Sequence, residues 1–189
     1  MAYDIVRESV ALIEAGRAEP VRSLTRRRRF AAMAVDVSDD VAATMFARRG
    51  VGCVHQEIHH LALRDDGWVW LGGGGSSGDE RLLADRPAAL SGPSLFGPDA
   101  PMSSNPRIIA GVGAGGTLDT RGQDEPSDGG RWISRSVVRV SAEVASVEVF
   151  DRSLTVPWHG YVLVVWCGDP SDAVARDATG RKLAELRSA

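Results

Sequence analysis

The chain of 189 residues carries one lysine, Lys182, one asparagine, Asn105, two tyrosines and two cysteines. Each scarcity narrows the field. Its 22 basic side chains, nearly all arginine, face 25 acidic ones. The formal charge of -3 gives no global attraction for nucleic acid or an anionic membrane. Little lysine and asparagine beside abundant Ala, Gly, Val and Asp is the residue usage of a GC-rich, bacterial genome. The arginine bias is therefore read as genomic first and functional second. Cys53 and Cys167 could pair, but with no export signal they are expected as reduced thiols. No apolar run approaches the ~20 residues that a membrane helix needs, and the strongest is residues 161–167. The opening Met1-Ala2-Tyr3-Asp4-Ile5 lacks the basic start and apolar run of a signal peptide, so the expected location is the cytoplasm.

What is present is an ordinary globular composition, 43% hydrophobic and 25% charged, at a length that suits one domain or one with an appendage. Residues 1–50 read as a helical N-terminal segment. Ile5, Val6, Val10 and Ile13 recur at helical spacing, with Gly16 and Pro20 to end the run. A second helix is expected over residues 38–50. Ser38 would be its N-cap, Asp39 and Asp40 would sit in its first turn, and Arg48 and Arg49 would precede a closing Gly50. Between them, residues 21–37 are ambiguous, with a strand candidate at 31–37.

Residues 51–189 read as a β-rich, sandwich-like body forming one cooperative unit with that segment. Runs at 51–63 and 68–71 flank Arg64-Asp65-Asp66-Gly67, a hairpin turn. A three-residue turn with a glycine bulge would put Leu61, Leu63, Val69 and Leu71 on one face, with Trp68 and Trp70 beside Arg64 and His60 on the other. Residues 72–77 read as flexible, and 85–106 and 113–130 as long polar loops around a short strand at 107–112. Further strands are expected at 132–140, 145–150, 160–167, 173–176 and 182–186. Short strands without alternating helices give an α+β fold, a small helical part packed on a mainly antiparallel β-sandwich. The closing Ala175-Arg176-Asp177-Ala178-Thr179-Gly180-Arg181 hairpin resembles those that end many Ig-like β-sandwiches. It covers too little of the chain to imply a function.

Chemistry concentrates in Cys53-Val54-His55-Gln56-Glu57-Ile58-His59-His60. On an extended strand, alternate residues share a face, so Cys53, His55, Glu57 and His59 would line one side together. His55 and His59 would stand about 13 Å apart at Cα, too far to grip one ion comfortably. A divalent metal would use an adjacent pair, Cys53 with His55, His55 with Glu57 or Glu57 with His59, and take a third ligand from His159, Glu148 or Asp151. Without metal, the same side chains could carry protons. Trp68 and Trp70 could form a stacking platform for a sugar or another planar ligand, whereas Trp132, Trp158 and Trp166 read as packing.

Two other patterns carry less. Gly111-Val112-Gly113-Ala114-Gly115-Gly116 fits the spacing of a dinucleotide loop, but no helix follows it and no βαβ unit surrounds it, so no nucleotide is expected. Arg26, Arg27, Arg28 and Arg29 form a basic run in a net acidic chain, weak grounds for nucleic acid. No complete reaction signature appears. The leading expectation is an intracellular, non-catalytic binding or regulatory module for a small-molecule or protein ligand. Its contact surface would be His55, Glu57, His59, Trp68 and Trp70, and a homodimer is compatible with an exposed sheet edge. The alternative is a metal-assisted or acid–base enzyme using His55, Glu57 and His59.

Overall fold

The computed structural model describes residues 3–78, 80–91, 102–120 and 130–188. It is an α+β fold of one N-terminal helix and antiparallel sheets, as the strand pattern leads one to expect. No helix among the described residues is long and apolar enough to cross a membrane. The helix α1 (Ile5–Ala15) starts where Asp4 accepts from the Arg7 N–H and stops at Gly16, whose φ of 66° is the left-handed stop that glycine tolerates. Its buried side is Ser9 and Leu12, and Val6 faces out.

The expected helix over residues 38–50 is absent. Strands β1 (Phe30–Ser38) and β2 (Val41–Arg49) occupy that region, joined by the two-residue turn Asp39-Asp40 with Asp39 at φ 53°. The charges that suit a helix dipole here bracket a strand instead. Asp39 takes the left-handed conformation of a tight hairpin turn, and residues 41–47 are buried on both alternations, as a central strand requires. Residues 1–50 are thus one helix followed by two strands.

Strand β3 (Val54–Arg64) holds the three histidines in one extended segment but leaves Cys53, expected on the same strand face, in the bend before it, and β4 (Gly67–Gly78) follows. The glycine stretch expected to be flexible is therefore the far half of a strand. Order in this sheet is β1-β2-β3-β4, an antiparallel meander with β4 at its edge. The remaining strands are β5 (Met102–Ser103), β6 (Ile109–Asp119), β7 (Arg131–Val140), β8 (Ser146–Val149), β9 (Arg152–Thr155), β10 (Tyr161–Cys167), β11 (Ala173–Arg176) and β12 (Lys182–Arg187). They form sheets ordered β10-β7-β6 and β5-β12-β11-β8-β9. The Gly111-to-Gly116 pattern lies inside β6, not in a loop before a helix. The second expected loop is strand up to Asp119, and residues 121–129, like 92–101 of the first, lie outside the described residues.

Contacts divide the chain into two compact units. The first comprises Met1–Leu83, Gly115–Arg135 and Leu163–Gly168. Within it α1 lies on one face of the meander, where the Ser9 and Thr44 hydroxyls meet at 2.9 Å, both buried. On the other face the buried Asp36 carboxylate accepts from the Val165 N–H at 2.8 Å. The fully buried Asp119 pairs with Arg64 and with Arg131, which also reaches Asp40 at 2.8 Å. The second unit comprises Ala84–Ala114, Ser136–Val162 and Asp169–Ala189, with the five-stranded sheet at its heart.

Candidate functional site

Register decides the site. On β3 the odd-numbered side chains His55, Glu57, His59, Leu61 and Leu63 share the face that α1 covers in part. Their β4 partners in the same order are Ser77, Gly75, Gly73, Trp70 and Trp68. A two-residue Asp65-Asp66 turn and a bulge at Leu71 produce this pairing. The three-residue turn expected from the sequence is thus corrected. Trp68 and Trp70 stand with Leu61, Leu63 and the site residues, not beside His60 and Arg64. The bulge flips the strand's alternation between Trp70 and Gly72, bringing an indole and the glycine run onto one face.

The result is a cleft of about 440 Å³ lined by His55, Glu57, His59 and Trp70, with residues 73–77 as one wall and Ile5 of α1 at the other. Trp68 is on the same face but outside the lining. The glycines create the space and also permit close approach. A methyl group on Gly73 would stand 2.5 Å from His59 Nδ1 and 2.8 Å from the Ile58 carbonyl oxygen, and one on Gly75 2.7 Å from that of Gln56. Any side chain there would close the wall.

Four residues, from β2, β3 and the segment before α1, meet around Glu57 and His59. The Arg48 Nε of β2 donates to Glu57 Oε1 at 2.5 Å. Glu57 Oε2 lies 3.9 Å from His59 Nε2, and the Tyr3 hydroxyl, just before α1, is 3.3 Å from the same nitrogen. Tyr3 is held there by its ring, packed against Phe30 at 4.7 Å and Phe46 at 5.9 Å. Burial first, then the Glu57 carboxylate, pushes the Tyr3 phenol up, so it remains a hydroxyl. Burial pushes the His59 imidazole down, against the opposing pull of Glu57, so it is uncharged at neutral pH. His59 is 5% exposed, and its Nδ1 has no hydrogen-bond partner among the described residues. His60 faces the other way, its ring buried against the Gly72 backbone.

The proposed metal set does not assemble. Among the described residues no group of three His, Cys, Asp or Glu side chains could hold one ion. His55 turns to Cys53, with Sγ 3.5 Å from Nε2, while Glu57 is taken by Arg48. The suggested third ligands have work of their own in the second unit. His159 Nδ1 accepts from the Tyr161 N–H at 3.0 Å, Glu148 pairs with Arg176 at 2.6 Å, and Asp151 sits in a turn at φ 59°. Arg26, Arg27, Arg28 and Arg29 are all exposed, and the last three line a second cleft of about 470 Å³ with Glu8 and Glu19, where the charge is mixed.

Tyr3, Ile5 and Arg48 escaped the sequence reading. Arg48 had been placed on a helix; as a strand residue it is the direct partner of His55 and the diagonal neighbour of Glu57. Tyr3 carries no local signal at all, because its role arises only when α1 docks. Comparisons with protein-family models, curated proteins and solved structures give no match.

Proposed function

We propose that the protein is a non-catalytic binding module that takes a small, polar, ring-shaped molecule in the cleft between β3 and β4. The observation that supports this most is a carboxylate, two imidazoles and an indole on one cavity whose wall is a run of three glycines and two serines. Trp70, 44% exposed, offers a flat apolar face, and a few placed polar groups beside such a face are what orient a saccharide or a planar heterocycle. Glu57 is fixed by Arg48 and accepts hydrogen bonds without presenting an uncompensated charge. Among the described residues the lining holds no arginine or lysine, the side chains that grip a phosphate most strongly. A cytoplasmic location and a bacterial source belong to the same proposal.

The test is a panel of monosaccharides and heterocycles titrated against intrinsic tryptophan fluorescence, with Trp70→Ala and Glu57→Gln as controls. A binder weakened about tenfold or more by both substitutions, ~1.4 kcal/mol each, supports the reading. A panel whose every binder is indifferent to both contradicts it.

A second reading, acid–base catalysis, draws on the chain Tyr3–His59–Glu57–Arg48. An uncharged imidazole beside an oriented carboxylate is equipped to accept a proton. Chemical conversion of the bound molecule, abolished by His59→Gln, would favour it.

A further inference from the structure

The turn entering β3 carries a different chemistry. Cys53 and His55 are both half-buried, and the imidazole Nε2 stands 3.5 Å from the thiol sulfur. The backbone is shaped for this contact. The Gly50 N–H donates to the Cys53 carbonyl at 2.9 Å, closing a tight turn, and Gly52 within it takes φ 71°. A methyl group on Gly50 would collide with His55 Nε2 and stand 3.1 Å from Cys53 Sγ. The imidazole can lie across the turn onto the sulfur because that position carries no side chain. His55 also lines the cleft, where the deeply buried His59 keeps an unpaired Nδ1. Arg48, its direct partner on β2, is held by the Glu57 carboxylate on the same face.

We propose that Cys53 is a nucleophile whose thiol proton passes to His55 Nε2 as the sulfur attacks, and that it is a site of oxidation by hydroperoxides. A thiolate is the attacking form of cysteine, and a base in contact with the sulfur supplies it at the moment of attack. The Cys53 sulfur attacks the terminal oxygen of the hydroperoxide. A sulfur–oxygen bond forms as the oxygen–oxygen bond breaks, and the departing alkoxide takes the proton from His55. The products are Cys53 sulfenic acid and an alcohol, with the hydroperoxide as the sole oxidant. This goes beyond the binding reading and stands whether or not the cleft takes a ring-shaped ligand.

Cys167, the second thiol outside any disulfide, is the internal control. At pH 6.5 an ordinary cysteine is about 1% thiolate. Alkylation of the whole protein with iodoacetamide at that pH, resolved by peptide mass mapping, should label Cys53 about tenfold or more faster than Cys167. A hydroperoxide followed by dimedone should tag Cys53 alone. His55→Gln should bring Cys53 down to the rate of Cys167. Gly50→Ala should do the same with both partners still in the sequence, by pushing the ring off the sulfur. An unchanged circular dichroism spectrum and Cys167 rate certify each variant's fold. Equal labelling of the two thiols in the native protein, or a Cys53 rate untouched in a folded variant, overturns the proposal.

Discussion

Replacing His60 with leucine should flatten the dependence of stability on acid. His60 is 3% exposed, and its imidazole is pushed down to about 4, chiefly by burial, then by Arg135 and His59, against a smaller opposing pull from the Gly72 backbone. In the unfolded chain it titrates near 6.5. The folded value is the lower one, so the unfolded state binds the proton first. The stability that goes with a neutral His60 is therefore complete above pH 6.5 and is lost as pH falls towards 4. Two and a half decades of difference correspond to about 3 kcal/mol. Arg135 on β7 and His59 on the same strand are the charged and titratable neighbours, and neither supplies a carboxylate to rescue the imidazolium. Urea melts of wild type and His60→Leu at pH 7, 6, 5 and 4 read the effect. The stability of the variant relative to wild type should rise by about 3 kcal/mol across that range, whatever its offset at pH 7. Parallel curves would refute the reasoning, because they would mean that His60 accepts its proton in the folded state as easily as in water.

Removing Asp119 should strand the Arg64 guanidinium and leave Arg131 with Asp40 as its carboxylate partner; Asp119→Ala is expected to lose about 3 kcal/mol in chemical denaturation, and a loss below about 1 would contradict the burial. Ser9→Ala should cost about 1–2 kcal/mol by orphaning the Thr44 hydroxyl, and Ser9→Ala with Thr44→Val should recover most of it; additive losses in that double-mutant cycle would mean that α1 does not dock through this pair. Gly73→Ala should destabilise the protein and shift the His59 ring resonances, since the added carbon meets both Nδ1 and the Ile58 carbonyl; unaltered imidazole shifts would place His59 elsewhere.

Much of the second half of the chain was legible because its strands are short, apolar and bounded by turns, so periodicity and punctuation agreed. Residues 161–167 and 173–176 come out as strands at or within one residue of their expected bounds. Residues 38–50 misled for a physical reason. Aspartate before a run and arginine after it suit a helix dipole, but Asp39 also tolerates the left-handed conformation of a two-residue hairpin, and pairing with β1 and β3 buries both faces of the run. The glycines at 72–75 looked mobile because glycine weakens an isolated strand. Opposite His59 and Glu57 they instead serve close approach, which needs the cross-strand register to see. The shared face of His55, Glu57 and His59 was readable from a period of two. Trp70 joined it through a bulge that local sequence does not announce, and Tyr3 and Arg48 through tertiary pairing.

The account rests most heavily on the β3–β4 cleft being where this protein meets its ligand. Amide and indole chemical-shift mapping on isotopically labelled protein, with the same panel of saccharides and heterocycles, addresses that directly. The predicted result is a binder whose shifts centre on the Trp70 indole and the amides of residues 73–77, with β8 and β9 unmoved. Binders that map reproducibly to another surface and leave those signals in place would contradict it.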